Sequence, residues 1–405
     1  MLHSSRTMVG ARMYGWLYTL VPILILLTPV GLAVDITHFK TVALTLIPSA
    51  VKNGAVCLDG SPPAYHIDRG VGDGANNWLV FLEGGGWCDT TEDCLKRTTD
   101  KEGLGSSKIM QAKNFTGILG STQQLNPDFY NWNRVFVRYC DGASFTGNSF
   151  DRVNNLSYKG GKVFSAVVKD LLRKGMRHAT NALFMGCSAG GLAAILNCDR
   201  FRSFLTEHTN VKCASDAGYF LHTKDVLGEY TYANYYKRIV KLHGSNKNLP
   251  KACTSTVRPR GLCLFPQNIV PHIETPLFLI NAAYDGNQIG RIWAPSVDHL
   301  PESWVRCKFD ITKCTPDQID ILKGFRLKFL NALPKSSNAS FRGMFISSCL
   351  NHCQTQDQRN WDTDPGFKVD DKTMAQALGN WFYGRRSVQI IDDDSVPKVC
   401  ATKLL

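Results

Sequence analysis

Gly186-Cys187-Ser188-Ala189-Gly190 sets a serine between two glycines, each two residues away. That spacing permits a turn too sharp for bulkier residues and lifts the serine hydroxyl clear of the backbone as a nucleophile. A serine attacks an acyl carbon only if a base takes its proton and an acid holds that base in the right tautomer. When such a turn joins a strand to a helix, the chain order is Ser, then Asp or Glu, then His. Six histidines follow Ser188: His208, His222, His243, His272, His299 and His352. Only His299 and His352 lie beyond Asp285, which follows the most apolar strand pattern of the C-terminal half. Asp298 is the rival acid, but it shares with His299 a Pro-bounded loop with no strand pattern before it. The order therefore selects Ser188 as nucleophile, His352 as general base and then general acid, and Asp285 as the group that orients the imidazole.

Acyl transfer also needs donors for the tetrahedral oxyanion. The N–H of Ala189, at the start of a helix, is one. The loop Glu83-Gly84-Gly85-Gly86-Trp87-Cys88 is a second source, because residues without side chains let backbone N–H groups approach a substrate.

The elements that must hold these residues alternate along the chain. Trp78–Leu82, Arg134–Tyr139, Ala182–Met185, Val211–Ser215, Pro276–Ala282 and Phe341–Ser347 read as buried strands. Val163, Phe164, Val167, Val168, Leu171 and Leu172 recur at helical spacing until Gly175, a small-residue helix runs from Leu192 towards Phe204, and Met374–Tyr383 is a closing helix. Residues 220–275 are rich in aromatics and cysteine without clear period, which suits an insertion over a site. The pattern predicts an α/β-hydrolase-like fold, a mostly parallel sheet flanked by helices, with the site at the carboxyl ends of the strands.

The chain of 405 residues carries 46 Lys+Arg against 34 Asp+Glu. Arg6 and Arg12 precede an apolar run from Trp16 to Val34, and Gly31-Leu32-Ala33 fits a signal-peptidase site. Residues 1–33 are expected to be a cleaved secretory signal and 34–405 a single catalytic domain with no membrane span. Loss of the two arginines leaves 44 basic against 34 acidic residues, which favours anionic partners. All 14 cysteines lie beyond residue 33, an even count that implies disulfides in an oxidising compartment. Cys88–Cys94, Cys253–Cys263 and Cys307–Cys314 are spaced as local loops, and Cys349 and Cys353, if oxidised, would pin the loop around His352. The other reading of Cys349-x-x-His352-Cys353, a zinc set, lacks a second cluster to complete it, so no metal or cofactor is expected. Asn114, Asn155 and Asn338 head N-glycosylation sequons. No Walker A, no GxGxxG after a strand and no nucleic-acid module is readable, and nucleic acid is not an expected partner.

Seven blocks in order resemble those of the plant pectin acetylesterases, relatives of the Notum-like carboxylesterases. They are Gly54–Ser61, Leu82–Cys88, Arg138–Gly142, Gly186–Gly191, Ser215–Phe220, Asn281–Asp285 and Cys349–Gln354. The resemblance puts the family's triad on Ser188, Asp285 and His352 and its oxyanion donors on Gly85, Gly86 and Ala189. It implies a secreted cell-wall enzyme that hydrolyses acetyl esters of pectin without a cofactor. Trp87, Tyr139, Phe145, Tyr219 and Phe220 would either line the cleft and stack on sugar rings or belong to the core. After Asp285 the plant enzymes continue Ser-Trp-Gln, whereas this chain has Gly286-Asn287-Gln288, a difference at the floor or rim of the site. The alternatives are a deacylase of lipidated protein and a non-catalytic binder of wall polyanions.

Overall fold

Nine strands form one sheet in the computed structural model, which describes residues 39–294, 302–335, 338–363 and 367–400. Residues 1–33, Asp298 and His299 lie outside the described residues. In chain order the strands are β1 (Leu44–Leu46), β2 (Ala64–Asp68), β3 (Asn77–Leu82), β4 (Asn133–Val137), β5 (Asn181–Gly186), β6 (Asn210–Asp216), β7 (Leu277–Ala282), β8 (Arg342–Ser347) and β9 (Gln389–Ile391). They lie side by side as β1-β2-β4-β3-β5-β6-β7-β8-β9. The two pairings at the β1 edge are antiparallel and all others are parallel.

The central strands are apolar throughout because both faces are covered, and their period-two alternation sorts side chains into two cores. Val80, Leu82, Phe184, Leu277 and Leu279 join one cluster, while Leu79, Phe81, Leu183, Met185, Phe278 and Ile280 join the other. Helix α1 (Thr91–Arg97) follows the glycine-rich loop, and α2 (Gly160–Arg173) buries Val163, Phe164, Val167, Val168 and Leu171 against the first core. Helix α3 (Ala189–Arg202) is buried on nearly every side, which its glycines and alanines allow. Helix α6, which is reached after α5 (Pro316–Ala332) and spans Met374–Phe382, covers the second core.

Three differences from the sequence reading have simple causes. Segment 220–275, read as irregular, contains α4 (Thr231–His243), whose Tyr232, Tyr236, Ile239, Val240 and His243 form a buried helical stripe. The edge strands β1 and β9 are three residues each, too short to show a period. Helix α5 shows no clear apolar period because Gln318 and Arg326 share its buried face with Leu322, Phe325 and Phe329, although Thr315 and Gln318 form a reciprocal capping box at its start.

A candidate active site at the strand ends

Strands β5, β6, β7 and β8 are neighbours, and their registers keep their carboxyl ends nearly level. Ser188 follows β5 with φ 58° and ψ −124°, a conformation that costs a non-glycine residue about 1–3 kcal/mol. The turn is held by Ser188 N–H donating to Asp216 carbonyl (2.9 Å) and Gly190 N–H donating to Cys187 carbonyl (2.8 Å). The flanking glycines are required by close approach. A Cβ on Gly186 would stand 2.4 Å from the Gly190 carbonyl oxygen, and one on Gly190 would stand 2.2 Å from that of Leu82.

The structure brings the three residues selected by chain order together. His352 Nε2 lies 2.8 Å from Ser188 Oγ, and its Nδ1 lies 2.8 Å from Asp285 Oδ2. Asp285 is fully buried, with Oδ1 accepting from the Gln288 N–H (2.9 Å), so its free oxygen faces the imidazole. The His352 side chain remains 22% exposed and Ser188 7%, enough for a substrate to reach the hydroxyl.

Strands β8 and β5 are three positions apart, roughly 14 Å at normal strand spacing, so the segment after β8 must reach back across β6 and β7. Two contacts hold it there. Cys353 is disulfide-bonded to Cys187, next to Ser188. Asp216, at the end of β6, accepts from both the N–H (2.8 Å) and the hydroxyl (2.7 Å) of Thr355 through Oδ2.

Electrostatics at the imidazole are a contest. Burial pushes the His352 pKa down, but the charge and hydrogen bond of Asp285 and the charge of Asp216 outweigh it, and the net shift is upward. Burial pushes the Asp216 carboxyl up to about 6 against its hydrogen bonds from Thr355.

The glycine-rich loop lies against the serine: a Cβ on Gly84 would be 3.0 Å from Ser188 Cβ. Its carbonyls are engaged on the far side. Arg97, from α1, donates to the carbonyls of Gly85 (2.9 Å) and Trp87 (3.0 Å), and the Tyr139 hydroxyl donates to that of Gly86 (2.9 Å). Gly85 and Gly86 take φ 142° and 64°, open to glycine. Ala189 opens α3, and its carbonyl accepts from Ser144 Oγ (2.7 Å), which in turn accepts from the Trp87 indole N–H (2.8 Å). Among the described residues, the N–H groups of Gly85, Gly86 and Ala189 have no protein acceptor.

The aromatic cleft set is corrected by the structure. Tyr139, Phe145, Tyr219 and Phe220 are at most 1% exposed and belong to the first core, and Trp87 packs edge-on against Phe220 and Tyr236. Two of them hold backbone from within that core: the Tyr139 hydroxyl donates to the Gly86 carbonyl and the Tyr219 hydroxyl to that of Ala332. Sequence reasoning missed Arg97, Ser144, Asp216 and Gln288. Asp216 lies within the block Ser215–Phe220 and Gln288 three residues beyond Asn281–Asp285, but no local pattern marks their roles.

All seven disulfides close among the described residues, including the three local pairs and Cys349–Cys400. The sulfurs of Cys349 and Cys353 are therefore not available as thiolate ligands beside His352. Asn114, Asn155 and Asn338 are exposed. Among the described residues, no helix is long and apolar enough to cross a membrane.

Comparison with known proteins yields a consistent group. A family model for pectinacetylesterase matches residues 37–403. The chain is 50% identical over 364 residues to pectin acetylesterase 7 of Arabidopsis thaliana, covering 89% of this chain and 92% of that one. It is 47% identical over 368 residues to pectin acetylesterase 11 of the same plant, covering 90% and 93%. The solved structure of the Wnt deacylase Notum from Drosophila superposes with a TM-score of 0.72 at 23% identity, over 88% of this chain and 98% of that one, and shares the α/β-hydrolase-like fold.

Proposed function

The chain belongs to the pectinacetylesterase family and is a carboxylic ester hydrolase, and on that footing we propose that it removes acetyl groups from pectin by a serine mechanism. The observation that carries the mechanism is the unbroken path Ser188–His352–Asp285, with both links at 2.8 Å.

In the proposed cycle, neutral His352 accepts the Ser188 proton at Nε2 as Oγ attacks the acetyl carbonyl carbon. Asp285 accepts the hydrogen bond of the Nδ1–H and stabilises the imidazolium that forms. The oxyanion is met by the N–H groups of Ala189, Gly85 and Gly86, and two of these are fixed beforehand: the Ser188 carbonyl, in the peptide plane of the Ala189 N–H, accepts from Leu192 N–H, and the Gly85 carbonyl, in that of the Gly86 N–H, accepts from Arg97. The imidazolium then protonates the sugar oxygen, which leaves as the free hydroxyl, and the acetyl group remains on Ser188. Water repeats the sequence: His352 takes its proton, acetate departs, and Ser188 recovers its own.

Pectin as substrate is supported by the relatives at 47–50% identity and by the basic surplus of the chain, which draws a polyuronide through long-range, salt-sensitive attraction. We further propose secretion to the cell wall after removal of residues 1–33, with glycans on Asn114, Asn155 and Asn338. The test is acetate release from purified acetylated pectin by the wild type and by Ser188→Ala. Release only by the wild type supports the proposal, and turnover of p-nitrophenyl acetate without acetate from pectin refutes the substrate.

A further inference from the structure

A cavity of about 510 Å³ opens beside the site, walled by Tyr232, Tyr235 and Arg238 of α4 on one side and by Gly286, Asn287 and Arg291 on the other. Gly286 and Asn287 directly follow Asp285, so one wall of this cavity continues the segment that carries the catalytic acid. Its volume lies within the usual range for small-ligand clefts, and its cations differ in one respect. Arg238 is paired with Asp89 (2.6 Å) and rests over Tyr235, and Lys308 at the cavity's edge donates to the Ala294 carbonyl (3.3 Å). Arg291 is exposed and has no carboxylate partner among the described residues. Its charge acts on His352 as well as on Tyr232 and Tyr235, so the guanidinium stands within electrostatic reach of both the cavity wall and the imidazole.

We propose that Arg291 is the anchor of a uronate subsite, binding the free carboxylate of a sugar residue near the one whose acetyl ester is cleaved. The proposal rests on the reading that the substrate is an acetylated polyuronide. A guanidinium presents paired donors that match the two oxygens of a carboxylate, a geometry an ammonium does not offer. Tyr235, partly exposed opposite, supplies a rigid face for the sugar ring, whereas Tyr232 is buried. Gly286 and Asn287 leave the space open: a Cβ on Gly286 would meet only Leu350 Cδ1, at 3.9 Å. Methyl esterification of the uronate removes the charge that Arg291 recognises, so the subsite makes the enzyme selective for acetyl groups in de-methylated stretches.

The experiment compares kcat/KM on acetylated polygalacturonate with that on its methyl-esterified form, for the wild type, Arg291→Gln and Arg291→Lys. The wild type should favour the free acid at least tenfold, Arg291→Gln should bring the ratio close to one, and Arg291→Lys should keep part of it. As a second readout, unacetylated trigalacturonate should inhibit p-nitrophenyl acetate hydrolysis by the wild type competitively, and inhibit Arg291→Gln at least tenfold more weakly. A ratio and an inhibition constant that Arg291→Gln leaves unchanged would overturn the subsite while leaving pectin as the substrate. If the wild type releases no acetate from either polymer yet turns over p-nitrophenyl acetate, the substrate reading fails and the subsite fails with it.

Discussion

A disulfide joins Cys187 to Cys353, so the residue before Ser188 is bonded to the residue after His352. The two lie 166 positions apart in sequence, and their bond fixes the end of the β8 segment over the end of β5. The Ser188–His352 hydrogen bond thus depends on a covalent clamp as well as on packing.

Removing that clamp should affect rate and stability together. In the Cys187→Ser/Cys353→Ser double variant, which leaves no stray thiol, kcat should fall about tenfold to a hundredfold as the imidazole loses its fixed distance to the hydroxyl. Loss of a bond closing so long a loop should lower stability by about 2–4 kcal/mol. Steady-state kinetics with p-nitrophenyl acetate and thermal unfolding check the pair of outcomes. Full activity in the double variant would show that Asp216 and Thr355 suffice.

The oxyanion loop gives a prediction that separates orientation from binding. Arg97→Ala frees the carbonyls of Gly85 and Trp87, so the Gly86 N–H, which shares a peptide plane with the Gly85 carbonyl, loses its fixed direction. The expected result is a drop in kcat of about a hundredfold with KM for p-nitrophenyl acetate little changed, since the donors act on charge that develops only in the transition state. Tyr139→Phe releases only the Gly86 carbonyl and should cost less.

The pH profile follows from the imidazole. His352 works as a base only when neutral, so activity should rise with pH through its folded-state pKa, which Asp285 and Asp216 hold above the ordinary value despite burial. Asp216→Asn removes one supporting charge, while its amide oxygen still accepts from Thr355. The activity limb should move to lower pH with kcat at the plateau largely kept. Asp285→Asn should move the limb the same way and also lower plateau kcat by about ten-thousandfold, because the tautomer is no longer held.

Asp216 also carries a stability signature. Its folded pKa, pushed up by burial to about 6, lies above the ordinary carboxylate value of 3.8, so the folded state holds the proton more tightly than the unfolded one. Wild-type stability should therefore lose a contribution from this group as pH rises from about 4 to about 6, and Asp216→Asn should lack that loss. Chemical denaturation at the two ends of the window measures it.

Much of this site was legible because its signals are local or ordered. The glycine spacing around Ser188 announces a turn, and chain order with strand context singles out Asp285 and His352 from several candidates. The roles of Arg97, Ser144, Asp216 and Thr355 were not legible, because they consist of single hydrogen bonds to backbone or side chains brought close only by the tertiary fold. The aromatics were open to either reading: Tyr139, Tyr219 and Phe220 stand in motif blocks, yet these three and Phe145 are buried, the ordinary fate of large rings. Likewise the stripe from Tyr232 to His243 was present in the sequence, and its aromatic density hid the helical period.

The central claim is that Ser188 carries the acyl group during turnover, and mass analysis of enzyme quenched with acid early in a reaction with p-nitrophenyl acetate tests it most directly. The account predicts one acetyl group, on the peptide containing Ser188, and neither label nor turnover above background in Ser188→Ala. An acetyl group on another residue, or undiminished turnover by Ser188→Ala with its fold intact, would contradict it.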